Sequence, residues 1–355
     1  MSAFIDEIPA RNHEQVSIFQ NNELGIVAVI AVHNTEIGPG LGGCRMRPYP
    51  TVDLAVSDVL KLSQAMTWKN ALAGIPFGGG KSVIITEPDL KTHREELFKW
   101  FGDCVDSLDG KYLTAEDMGS TVSDMEVVAT RTKSVAGRSP DKGGAGDPSP
   151  FTALGVFSGI KACLAYRFGS EDLSERKVAV QGVGSVGMHL VKLLRDQGAE
   201  VFVADTVQES VDEAVKEYGA TAVELEKILS TDCDVLAPCA IGGIINSKTI
   251  NEIKAPIIAG GANNQLADGI ESELVKRNFV YAPDFAINSG GVIMCADEFE
   301  PGGFNQKRVT ERAENVHATI TEILKMAEKS EKPTAVVAIE LAEKRIAEAS
   351  GKASA

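Results

Sequence analysis

Cysteine and histidine are scarce and scattered. The 355 residues hold six cysteines, at positions 44, 104, 163, 233, 239 and 295, and five histidines, at 13, 33, 93, 189 and 317. No C-x-x-C pair occurs and no histidine stands at the spacing of a tetrahedral metal site, so the thiols read as reduced and mostly buried and no metal is expected. Basic charge is in deficit: Lys plus Arg number 35 against 50 Asp plus Glu, a net charge of −15. A phosphate-backbone binder needs a basic face, so no nucleic-acid partner is expected. Long apolar runs are missing as well. Nothing approaches the roughly 18 consecutive apolar residues of a membrane helix, and candidates such as 25–32 are strand-sized. The opening MSAFIDEIPARNHEQ carries acids early and no apolar run before a small-residue cleavage site, so a cytoplasmic location is expected.

What is abundant is glycine, with 34 residues clustered at 38–43, 78–80, 143–146, 182–187, 260–261, 290–291 and 302–303. Paired glycines between apolar runs mark places where the backbone turns sharply or comes very close to something else. The length exceeds what one core usually organises, so two domains are the prior. The first part predicts a hairpin, 15–19 with 25–33, then a helix from 53 to about 70 ending near Lys69, and a strand at 82–86 that starts just after Lys81. Thr92 with Glu95, and Thr121 with Asp124, read as capping boxes opening two further helices, with a short strand at 111–114 between them. Residues 137–150, GRSPDKGGAGDPSP, break all periodicity and mark a boundary. Beyond it helix and strand alternate: 151–168, 177–181, 185–197, 200–204 and 207–218, then strands at 234–238, 256–260 and 280–282. Such alternation predicts an α/β fold with a doubly wound parallel sheet. The tail from about Gln306 reads as two helices interrupted near Pro333.

Three constellations carry chemistry. Strand 177–181 runs into Gly182, Gly184 and Gly187 and then into a helix, with Asp205 closing the next strand. The first glycine permits the tight turn, the second lets a pyrophosphate approach the backbone, and the third allows helix-to-strand packing. A carboxylate at Asp205 suits the ribose hydroxyls of NAD and opposes the 2′-phosphate of NADP. Lys69 and Lys81 form the second constellation, each set among apolar or glycine neighbours. Desolvation and a second ammonium nearby would make one of them a workable base, whereas the plainer reading is two solvated cations. Glu116 and Asp117, in TAEDMG, supply acids at a strand end; they are either helix caps or the partner that two buried lysines need.

These residues fall in blocks: GPGLGGCRM, MTWKNALAGIPFGGGKSVI, TAEDMG, QGVGSVG, APCAIGGIIN, AGGANNQL and APDFAINSGGVI. In this order they resemble the amino-acid dehydrogenases of the glutamate, leucine, phenylalanine and valine group, nearly from end to end, and within it the leucine dehydrogenases most. The resemblance implies an N-terminal α/β substrate domain and a Rossmann-type NAD-binding domain with a cleft between them. The division it implies is 1–145, to which the C-terminal 330–355 returns, and 146–329. It implies NAD-dependent, reversible oxidative deamination of an L-amino acid, without a metal, by a homo-oligomer, octamer or dimer. In that scheme Lys69 binds the substrate carboxylate, Lys81 activates water and Asp117 relays protons. Leu41, Gly42, Gly43, Met66, Ala115, Asn264, Val292 and Cys295 contact the substrate. Gly182, Gly184, Ser185, Val186, Gly187, Asp205, Cys239, Ala240, Asn264 and Asn288 hold the cofactor, with Gly290 beside Asn288.

Glutamate-specific relatives carry a lysine before G-G-x-R, where this chain has Leu41 before Gly42, Gly43, Cys44 and Arg45. A glutamate side chain would then be buried unpaired, so an apolar substrate is expected, with leucine, isoleucine and valine overlapping. The run GGCRM, followed by PY and TVD, resembles some phenylalanine dehydrogenases instead, and Gly40 in place of the usual alanine would enlarge the pocket. A non-catalytic NAD-binding relative is the third reading, against which stand the retained Lys69, Lys81 and Asp117.

Overall fold

The computed structural model describes Ile8 and residues 11–351, and the chain divides into two compact units. One gathers the residues up to Asp147, Val292–Asn305 and the segment from Ala342; the other holds Pro148–Gly291 and Gln306–Leu341. Among the described residues no helix is long and apolar enough to cross a membrane.

The first unit is built on a six-stranded sheet with the order β1-β2-β5-β3-β6, and β4 also pairs with β5. Its hairpin, β1 (Gln15–Asn21) and β2 (Ile26–Asn34), pairs antiparallel from Gln15 opposite Val32 to Asn21 opposite Ile26. Strands β3 (Gly40–Leu41) and β4 (Cys44–Arg47) run parallel to β5 (Gly78–Ile85), and β6 (Tyr112–Leu113) lies beyond β3. The unbroken apolar run of β2 follows from burial on both faces, since successive side chains point opposite ways. Val29 and Ala31 pack with Ala55, Val56, Val59 and Leu60 of helix α1 (Val52–Leu72). Ala28, Ile30 and Val32 pack with Leu97, Phe98, Phe101 and Val105 of α2 (Arg94–Asp106).

Two local expectations part ways here. Thr121 and Asp124 do form a capping box at the head of α3 (Val122–Val128). Thr92 and Glu95 do not: the N-cap of α2 is His93, in the left-handed region at φ 59° with no side-chain cap, and Glu95 instead pairs with Lys99 one turn on. The strand expected at 82–86 begins earlier, at Gly78, which puts Lys81 in mid-strand opposite Ala31.

The second unit carries a parallel sheet, β12-β11-β10-β7-β8-β9, in which β7 is Lys177–Gln181, β8 Glu200–Ala204, β9 Thr221–Ala222, β10 Val235–Pro238, β11 Ile257–Ile258 and β12 Val280–Tyr281. Helix α4 (Ser149–Phe168) precedes β7, and helices α5 (Ser185–Asp196) and α6 (Gln208–Tyr218) provide the first crossovers. Read from β7, the order is 3-2-1-4-5-6 reversed, the doubly wound Rossmann arrangement, with its switch point between β7 and β10. The tail is three helices, not two: Gln306–Glu314 and Val316–Ser330 are separated at Asn315, and Thr334–Ala349 follows the left-handed Glu331 and Pro333.

Candidate active site

Strand β5 is buried from Gly78 through Ile84, so a lysine at its centre needs a counter-charge. Lys81 is 5% exposed, and its Nζ lies 3.1 Å from Asp117 Oδ2. Asp117 stands on the loop after β6, which a bridge between Cys44 and Glu116 ties to β4. Its backbone N–H donates to Ser120 Oγ at 2.9 Å, and that hydroxyl donates to the Cys44 carbonyl at 2.7 Å, so the loop is fixed from both ends. A second cation reaches the same oxygen, as Arg45 Nε donates to Asp117 Oδ2 at 3.2 Å. Burial alone would raise the proton affinity of Asp117, but Lys81 and Arg45 outweigh it and draw the carboxyl down to about 2. Glu116, beside it, is pushed up by burial and by Asp147, Asp117 and Asp124.

The glycines explain how these groups come together. A side chain on Gly79 would overlap Thr67, so the triplet is where helix α1 lies directly on β5, two residues before Lys69 in that helix's last turn. A side chain on Gly42 would overlap the Gly80 carbonyl and meet Met66 Cγ at 3.1 Å; one on Gly43 would stand 2.9 Å from Asp117 Cβ. Asn70, fully buried, donates to the carbonyls of Leu41 at 3.2 Å and Gly78 at 2.6 Å, and the Tyr112 hydroxyl donates to Gly42 O at 2.6 Å. Ala115 and Leu41 are buried. Cys295 is buried too, its thiol pushed up to about 12 by burial, then by Glu298 and Glu116, with Lys69 acting in the opposite sense. Lys69, Glu116 and Glu298 therefore all act on the Cys295 position. Val292 begins the same segment and is half-buried.

The second unit assembles the other group of residues at the carboxyl ends of β7, β8 and β10. Gly182, at φ 96°, faces Ala240 across the switch point, with 2.6 Å between a Cβ built on it and the Ala240 Cβ. A side chain on Gly187 would overlap the Gly182 carbonyl, whereas one on Gly184 meets nothing within 4 Å. Gly184 is the N-cap of α5, which has no side-chain cap, so Ser185 and Val186 open the helix beneath clear space. Asp205 Oδ2 accepts from Val183 N–H at 2.7 Å and Oδ1 from Val207 N–H at 2.9 Å. Those bonds hold the carboxylate ionised below its usual range, against its burial. Cys239 N–H donates to Gln181 O at 2.7 Å, and Asn288 Nδ2 donates to Asn263 Oδ1 at 2.7 Å and Gly261 O at 3.1 Å. Asn264 is exposed and left-handed, at φ 52°. An uncapped helix start, clear space over the middle glycine and an ionised carboxylate after β8 fit a dinucleotide.

Leu41, Gly42, Gly43, Met66, Lys69, Lys81, Ala115, Asp117, Val292 and Cys295 thus share the first unit. The ten residues assigned to the cofactor, Asn264 and Asn288 among them, share the second. The sequence reading missed Arg45 as a partner of Asp117. Its signal was a charged residue between buried neighbours in the short strand Cys44–Arg47.

The family model described as Glu/Leu/Phe/Val dehydrogenase, dimerisation domain, matches residues 13–134, and the one described as Glutamate/Leucine/Phenylalanine/Valine dehydrogenase matches residues 203–353. The chain is 45% identical to a leucine dehydrogenase of Geobacillus stearothermophilus over 94% of its own length and 91% of the relative's. It is 44% identical to a valine dehydrogenase of Streptomyces virginiae over 95% and 94%. Among solved structures, an L-tryptophan dehydrogenase from Nostoc punctiforme superposes with a TM-score of 0.85 at 38% identity, covering 97% of this chain and 99% of that one.

Proposed function

The chain belongs to the glutamate/leucine/phenylalanine/valine dehydrogenase family, and from that membership we propose that it catalyses the reversible oxidative deamination of branched-chain L-amino acids. The reaction converts amino acid, NAD and water to 2-oxo acid, ammonium, NADH and a proton. The observation that carries the reading is the buried contact of Lys81 with Asp117, which sets a lysine in mid-strand against a loop carboxylate. Residues 182–187 and Asp205 would hold the cofactor. Bound nicotinamide supplies the hydride acceptor, and NAD is favoured over NADP because Asp205 would repel a 2′-phosphate.

The remaining chemistry belongs to side chains of the first unit. Lys69 fixes the α-carboxylate as a cation. Once the α-carbon has lost hydride, the substrate is a cationic imine; Lys81 takes a proton from the water that attacks it. Asp117 moves protons between the substrate nitrogen and Lys81. Leu41, Ala115, Val292 and Cys295 form the apolar wall against the side chain, and Leu41 leaves a glutamate carboxylate without a partner.

The leucine and valine dehydrogenases that the chain resembles support the aliphatic preference, and the tryptophan dehydrogenase likeness supports an aromatic alternative. A panel of L-amino acids with NAD, following NADH, separates them: leucine, isoleucine and valine should lead in kcat/KM, and a lead for phenylalanine or tryptophan overturns the aliphatic reading. The same reading makes the protein a cytoplasmic homo-oligomer, supported by the description of the matched N-terminal region as a dimerisation domain.

A further inference from the structure

We propose that Arg45 is a positioning residue for this chemistry, a permanent counter-charge that holds the Asp117 carboxylate in place, and returns it to the anion between its own proton transfers, while Lys81 gives and takes its proton. The inference rests on the reading of Lys81 as the base. Its ground is a shared oxygen: Lys81 Nζ at 3.1 Å and Arg45 Nε at 3.2 Å both face Asp117 Oδ2.

The lysine charge is the one that turnover must switch. With the ammonium as sole partner, the carboxylate would lose its compensation whenever Lys81 became neutral, and it would take up the proton itself. A guanidinium does not titrate in the working range, so its charge stays. Arg45 is also kept from swinging away. While Nε binds Asp117, Nη1 binds Asp58 Oδ2 at 3.2 Å, and the Tyr49 hydroxyl donates to that same Asp58 oxygen at 2.6 Å. Asp58 sits on α1 and Arg45 on β4, so the fork ties helix, strand and loop together through two carboxylates. An ammonium, being a point charge on a flexible stem, lacks this two-ended geometry.

The other titratable groups near Asp117 cannot take over the task. Glu116 on the same loop is an acid, and Asp124 on α3 is an acid already paired with Arg94 at 2.6 Å. Cys44 on β4 and Tyr112 on β6 are both buried and pushed up, so they stay neutral.

The test compares Arg45→Met and Arg45→Lys with wild type in kcat and KM against pH, using leucine and NAD. Arg45→Met should lower kcat by about 10- to 100-fold with KM for leucine within about threefold. The acid limb of its kcat profile should rise by about one pH unit or more. Arg45→Lys should keep the limb near its wild-type position while recovering only part of kcat. Thermal unfolding between pH 2 and 5 gives a readout independent of turnover. Asp117 contributes stability that is present above the ordinary carboxylate range and is lost as pH falls through its depressed value. Arg45→Met should therefore move that loss to higher pH, and should add no further pH dependence in an Asp117→Asn background. An Arg45→Met enzyme with an unmoved acid limb, or a stability shift that persists without Asp117, overturns the assignment. A wild type inactive on every amino acid would overturn the proposed reaction instead, and the unfolding cycle would still decide whether Arg45 and Asp117 are linked.

Discussion

Replacing Gly184 by alanine should leave the fold intact and cost the second unit its dinucleotide. Gly184 is exposed, its φ of −69° and ψ of −164° suit any residue, and a Cβ built there meets no atom within 4 Å. Restricting the unfolded chain favours alanine by about 0.4–1 kcal/mol. Alanine is a poorer N-cap than glycine, by an offsetting amount of about the same size. The net change in stability should be near zero and Tm should stay within about 2 °C. The methyl group would stand where a diphosphate approaches the start of α5. Losing two charge-assisted hydrogen bonds there, at a discounted total of about 3 kcal/mol, raises Kd for NAD about 100-fold. Gly187→Ala is the contrast, because its methyl would overlap the Gly182 carbonyl. Overpacking of that kind costs about 1–3 kcal/mol, which is several degrees of Tm. Scanning fluorimetry and calorimetric titration with NAD measure both variants. A Gly184→Ala protein that binds NAD within threefold of wild type, or that melts as early as Gly187→Ala, would refute the idea that this space is kept for the cofactor.

Two further outcomes can be measured. Asp205→Ser should narrow the kcat/KM preference for NAD over NADP, and should also lower Tm, because the N–H groups of Val183 and Val207 lose a carboxylate partner; an unchanged ratio would mean that the ribose hydroxyls bind elsewhere. His13 is drawn down from 6.5 to about 4 by burial and by His33, whose ring stacks edge-on at 4.8 Å. Because the fold excludes that proton, stability should fall as pH drops from about 6.5 towards 4. His13→Gln should flatten Tm over this window; an equally steep curve would place the acid sensitivity in other groups.

The parallel sheet was legible because its central strands have apolar middles, Val178–Val180 and Val235–Ala237, and alternate with segments of helical period. The two-residue strand Gly40–Leu41 is too short for periodicity to register, whereas Tyr112–Leu113 and Ile257–Ile258 lie within the strands expected at 111–114 and 256–260. Thr92 and Glu95 match the spacing of a capping box, yet the left-handed backbone at His93 starts the helix elsewhere. Spacing shows which residues could cap, not which backbone path the tertiary fold selects. In the first unit, chemistry made it reasonable to seek an acid for two lysines, and Lys81 does meet Asp117. The part of Arg45 was hidden because 72 residues separate it from Asp117. Their meeting depends on β4 lying beside the loop after β6, through the bridge between Cys44 and Glu116, which no local pattern encodes. The glycine triplet was read as a turn or a close approach; the overlap of Gly79 with Thr67 makes it the latter.

The initial rate of Lys81→Ala with saturating L-leucine and NAD decides whether Lys81 is the base of a leucine-oxidising enzyme. A readily measured wild-type rate is expected, with a loss of about a thousandfold or more in the variant and NAD binding preserved. A variant that turns over leucine at the wild-type rate would contradict it.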